Sequence, residues 1–77
     1  MKRSNRLDRR FAVCVTDTEP DLIRRKIYEV LADESAARSK YLRVVDESGE
    51  DYLYPASHFV LVQLPHDAER VILTISR

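Results

Sequence analysis

Apolar residues along this chain fall in short runs, each closed by polar, acidic or proline-containing clusters, a spacing that predicts strands joined by turns. Phe11-Ala12-Val13-Cys14-Val15 reads as a first buried strand. The polar stretch 16–21, with Glu19-Pro20 inside it, cannot continue a ladder and predicts a wandering loop. A second strand is expected over residues 23–31, best formed in Lys26-Ile27-Tyr28-Glu29-Val30-Leu31. Residues 33–40 are a polar connection in which Glu34-Ser35-Ala36-Ala37-Arg38 suits a single helical turn.

Residues 41–58 carry the clearest pattern. Leu42 and Val44 alternate with Tyr41, Arg43 and Val45, and Tyr52 and Tyr54 alternate with Leu53, so two strands flank an acidic turn. Asp46, Glu47, Ser48, Glu50 and Asp51 favour a turn, and Gly49, the one glycine of the chain, reaches positive φ at no steric cost. Pro55 has no N–H to donate and ends the ladder. Pro55-Ala56-Ser57-His58 then predicts a tight or 3₁₀ turn, followed by a final strand over residues 59–64 that is apolar on both faces. Pro65 and Asp67 suit a helix start, and Ala68, Val71, Ile72 and Ile75 fall at helical spacing. The β-branched run within 71–75 also fits an edge strand; the favoured reading is a short helix covering the outer face of the last strand.

The expectation is therefore an all-β domain: a five-stranded barrel over residues 11–64, preceded by an arm over 1–10 and followed by a C-terminal element over 65–77. Its expected core is Phe11, Val13, Ile27, Val30, Leu42, Val44, Leu53, Phe59 and Leu61, with Tyr54 contributing. Seventy-seven residues make one domain, a size that buries roughly 60% of the surface its unfolded chain exposes. No apolar run is long enough to span a bilayer, and no apolar stretch of signal-peptide type follows the basic N-terminus. A lone cysteine, Cys14, forms no internal disulfide, which fits a reducing cytoplasm.

Net charge is zero but unevenly placed. Lys2, Arg3, Arg6, Arg9 and Arg10 against Asp8 give the first ten residues +4 and leave −4 on the rest. Such an arm attracts nucleic-acid phosphates through counterion release, which is the alternative functional reading; the favoured one is a solvated terminus lying against the acidic body. Little in the chain points to catalysis. Cys14 sits between Val13 and Val15 as a small hydrophobe, His58 and His66 lack metal-ligand spacing, and the acidic turn lacks the order of a calcium loop. There is no Gly-x-Ser-x-Gly frame and no glycine-rich phosphate loop. A non-enzymatic module without metal or cofactor is expected, and its tyrosines, large rigid faces with polar tips, suit a protein or peptide partner of basic or proline-containing character.

The succession Lys26-Ile27-Tyr28-Glu29-Val30-Leu31, Tyr41-Leu42-Arg43-Val44, residues 50–54 and Pro55-Ala56-Ser57-His58-Phe59-Val60 resembles an SH3-like barrel. The stretch Asp46-Glu47-Ser48-Gly49-Glu50-Asp51-Tyr52-Leu53-Tyr54-Pro55 is also similar to one that recurs in a group of small bacterial proteins of unknown function. The resemblance implies a peptide groove in which Tyr41 takes the third-strand aromatic place, Pro55 the proline place and His58 that of a tyrosine in the last turn. Cys14, Val15 and Thr16 stand where the groove's first-strand aromatics belong, so part of its stacking surface is missing. With Tyr52 added for its place in the tyrosine-rich hairpin, the candidate partner-binding set is Tyr41, Tyr52, Pro55 and His58.

Overall fold

The computed structural model describes residues 10–75. In chain order these form β1 (Arg10–Cys14), β2 (Ile27–Leu31), α1 (Glu34–Arg38), β3 (Tyr41–Val45), β4 (Asp51–Pro55), a 3₁₀ turn (Ala56–His58), β5 (Phe59–Val62) and α2 (His66–Ile75). The five strands make one antiparallel sheet in the order β4-β3-β2-β1-β5. The mainly-β class and the C-terminal helix are as expected; the closed barrel is not. The chain leaves β4 at Pro55, turns, and lays β5 along the free side of β1, so β4 and β5 remain the two ends of the sheet. The sheet nevertheless curls far enough to bring the rings of Tyr54 and Phe59, from those two end strands, into an edge-on contact at 6.2 Å.

Cross-strand register fixes which side chains share a face. Ala12 lies opposite Tyr28 and Leu61, Cys14 opposite Phe59, Val30 opposite Val44, and Leu42 opposite Tyr54. Ala12, Cys14, Tyr28, Val30, Val44, Tyr54 and Phe59 form the buried cluster, with Leu42 packed against it and Leu22 entering from the β1–β2 loop. The expected core is corrected accordingly: Val13, Ile27 and Leu42 are half-buried, while Leu53 and Leu61 are exposed. Phe11 is buried as expected, at 1% exposure, but on the other face, across from Glu29 and Val62. β1 is thus covered on both sides, which an unbroken Phe-Ala-Val-Cys run permits and an alternation rule cannot resolve.

Three boundaries also differ. Arg10 belongs to β1 and not to the arm, and β2 starts at Ile27 because residues 22–25 wind into the loop, where Arg25 holds a φ of 75° and donates its N–H to the Cys14 carbonyl at 2.6 Å. β5 stops at Val62. The short α1 forms because Asp33 caps it, accepting the Ala36 N–H at 2.9 Å, while its other carboxylate oxygen accepts Arg43 Nε at 2.8 Å and ties the helix to β3. Both contacts, the Ala36 N–H first, hold the Asp33 carboxyl below its usual range. In α2 the Glu69 N–H reaches the Pro65 carbonyl at 3.1 Å, closing the first turn, and Asp67 and Glu69 sit where the helix dipole favours acids. On the outer face of the last strand, which the helix was expected to cover, Val62 is half-buried and Val60 stays 56% exposed.

Candidate functional site

Tyr41 and Pro55 are direct cross-strand partners on the face turned away from the core. Their placement is pinned from both sides. Lys40, with a φ of 64°, turns the chain out of α1 into β3, and its carbonyl accepts the Ala56 N–H at 2.9 Å, fixing the 3₁₀ turn against the start of the strand. Tyr41 is left 41% exposed on this platform. Two residues along the same face, the Arg43 guanidinium bridges Asp33 at 2.8 Å and Asp51 at 3.0 Å, so its charge is matched within the sheet.

His58 closes the 3₁₀ turn. Its Nε2 lies 3.2 Å from Glu19 Oε2, an ion pair when the imidazole is protonated, and its carbonyl accepts the Val15 N–H at 2.9 Å. The turn therefore holds Glu19, in a β1–β2 loop that also carries Asp17 and Asp21, beside it. A path runs from that acidic loop through His58 and Pro55 to Tyr41, joining three of the four residues nominated from the sequence. Tyr52 is elsewhere: it lies opposite Val44 on the core side near the hairpin tip, 49% exposed, and donates its hydroxyl to Glu50 Oε1 at 2.8 Å. That contact raises its pKa. Of the arm residues, Lys2, Arg3, Arg6 and Arg9 lie outside the described residues, and Arg10 is exposed in β1 opposite Val30.

The acidic turn, expected only to reverse the chain, also bonds to the returning strand. Asp46 is 5% exposed. Its carboxylate accepts the Tyr54 hydroxyl at 2.6 Å and both the hydroxyl and the N–H of Ser48, at 2.5 and 2.9 Å. Burial acts to raise its pKa, yet the Ser48 and Tyr54 hydroxyls and the Ser48 N–H outweigh burial, and the net shift is downward. Burial and then this same hydrogen bond push the Tyr54 phenol well up. Next to it, Glu47 Oε2 accepts Lys26 Nζ and the Tyr28 hydroxyl, each at 2.6 Å, and the Tyr28 oxygen in turn accepts the Ile23 N–H at 2.7 Å. The Lys26 contact first, then Tyr28, lowers the Glu47 pKa; burial, followed by Glu47, raises that of Tyr28. The Glu47 N–H also donates to the Asp21 carbonyl at 2.9 Å. Hairpin tip and β1–β2 loop are thereby locked together. The Asp-x-Ser spacing of a side-chain-capped turn, eight residues before a tyrosine on the returning strand, is the signal that was available.

The Cys14 thiol is fully buried and donates to the Thr16 carbonyl at 3.3 Å. Among the described residues no group of histidine, cysteine and carboxylate side chains is placed to hold a metal ion, and no helix is long and apolar enough to cross a membrane. Compared with known proteins, the chain matches no family model, no curated protein and no solved structure.

Proposed function

We propose that this chain is a non-enzymatic, SH3-like interaction module of the cytoplasm that binds an extended protein segment along the path from Glu19 through His58 and Pro55 to Tyr41. The observation that carries this reading is the Tyr41–Pro55 cross-strand pair, continued through the 3₁₀ turn to a histidine held against an acidic loop. An exposed tyrosine beside a proline offers a flat apolar face on which a proline of the partner stacks. Asp17, Glu19 and Asp21 favour lysine or arginine in the same segment, an attraction that gives orientation more than affinity. A four-strand meander, a long first loop and a fifth strand that returns to β1 after a 3₁₀ turn support the SH3-like reading.

The test is titration of isotope-labelled protein with proline-rich peptides, half of them carrying arginines and half neutral. Amide shifts confined to residues 15–21, 40–41 and 56–58, stronger for the arginine peptides and lost in Tyr41→Ala with unchanged circular dichroism, are expected. Shifts centred on Tyr52, or none at all, would refute the site. Duplex DNA binding that fails when residues 1–10 are removed would replace the reading with the nucleic-acid one, with log affinity falling against log salt at a slope of about −4 to −5 for five phosphate contacts.

A further inference from the structure

The two edges of the sheet are built differently. β4 opens on Asp51 and closes on Pro55, a charge and a proline, both of which discourage a further strand from adding. β5 has neither. From Phe59 through Leu64 the chain carries no charge, and Val60 and Leu61, on opposite faces, are 56% and 51% exposed. Among the described residues no strand pairs with the outer side of β5. Val15 donates to the His58 carbonyl in the same register that sets Val13 opposite Val60 and Phe11 opposite Val62. Antiparallel alternation then turns the N–H and C=O of Val60 and Val62 toward β1 and those of Leu61 outward, together with the Phe59 carbonyl and the Gln63 N–H. The Phe59 N–H is already taken by the Ala56 carbonyl of the 3₁₀ turn.

We propose that β5 pairs with β5 of a second copy of this chain, antiparallel about a two-fold axis through Leu61. In that register the two Leu61 residues exchange both N–H···O=C bonds, and each Gln63 N–H donates to the opposite Phe59 carbonyl. Each Val60 lies across from the partner's Val62. The outward donors and acceptors are thus complementary to themselves under a two-fold rotation, and the stretch sets no charge against a like charge although residues 11–77 carry −4. A basic or acidic foreign strand gains nothing at this uncharged edge that it does not gain elsewhere; an identical one matches it in both hydrogen bonding and polarity. Four hydrogen bonds and two pairs of valines make a contact smaller than the roughly 1,200 Å² of a standard interface, so the association is weak, on the order of micromolar to millimolar.

Sedimentation equilibrium on the full chain, from about 10 μM to about 1 mM, covers that range. The wild type is expected to pass from monomer to dimer. Leu61→Pro removes an N–H that the β1 ladder does not use, so it is expected to remain monomeric with native circular dichroism and protected Val60 and Val62 amides. Should that variant not fold, Leu61→Cys decides instead. Two-fold pairing sets its two Cα atoms about 5.5 Å apart, within the roughly 4.4–6.8 Å that a disulfide spans. It is expected to cross-link several-fold faster than Val60→Cys, while buried Cys14 takes no part in either. A wild type monomeric throughout, a folded Leu61→Pro that still dimerises, or equal cross-linking at 60 and 61 would each overturn the proposal.

Discussion

Tyr54→Phe removes one oxygen and keeps everything else. The ring continues to meet Phe59, while the buried Asp46 carboxylate loses the donor at 2.6 Å. A hydrogen bond to a charged group is worth about 1.5–3 kcal/mol, and at 5% exposure water does not replace the missing partner. A loss of about 2 kcal/mol corresponds to a fall in Tm of about 8–16 °C for a domain of this size. The effect depends on pH with a definite sign. Because the folded pKa of Asp46 lies below the ordinary value of 3.8, the stability this carboxylate contributes is fully present above that value and is lost as pH falls through the folded pKa. The gap between wild type and variant is therefore widest at pH 7 and narrows along the acid limb, where Asp46 is protonated in both. Thermal melts followed by circular dichroism across that range measure it. A Tm shift under about 3 °C at pH 7, or a gap that stays constant into acid, would refute the assignment of Asp46 as a charged acceptor.

Other expectations follow from packing and backbone. Val44→Ala, at a side chain with no exposure, should cost about 1–3 kcal/mol in urea unfolding, whereas Leu53→Ala, at 46% exposure, should cost under about 0.5 kcal/mol. Glu47→Gln weakens the links to Lys26 and Tyr28; with a third of its side chain in solvent the loss is about 0.5–1 kcal/mol, read by the same denaturant curves and fading as pH falls below 4.5. Lys40→Gly, where the native φ is 64°, should raise the unfolding free energy from denaturant curves by about 0.5–1 kcal/mol, since glycine adopts that conformation without the Cβ clash.

Turn chemistry was the most legible part of this chain. Gly49 takes a φ of 85° at the hairpin, Pro55 ends β4, the 3₁₀ turn falls over Ala56–His58, and the five residues from Glu34 make their helical turn. Each is dictated by a local backbone constraint. Facing was less legible. In Tyr52-Leu53-Tyr54 the expectation put both Leu53 and Tyr54 in the core; only Tyr54 goes inward, its hydroxyl on Asp46, and that polar partner contributed by the turn is invisible to an apolar-alternation rule. The same applies to Tyr28, buried with its hydroxyl on Glu47, and to Leu22, which enters the core from a loop while Ile23 beside it stays exposed. At the candidate site, Tyr41 and Pro55 were placed correctly on adjacent strands. The path to Glu19 needed the β1–β2 loop to fold back on the turn, a contact no local pattern encodes.

β1 is the first strand of the chain and a central strand of the sheet, bonded on one side to its successor and on the other to the last strand. Phe11 and Val62 meet across about fifty residues of sequence, whereas β3 and β4 meet across a turn of about five. Loop closure costs about 0.6 kcal/mol per doubling of length, so the distant pairing starts about 2 kcal/mol behind the hairpin. That difference predicts the order of assembly: β3–β4 first, β2 added to it, and the return of β5 to β1 last. In kinetic terms, truncating Val44 should chiefly slow folding, and truncating Phe59 should chiefly speed unfolding. During synthesis, β1 waits with one side unpaired until the last strand has left the ribosome.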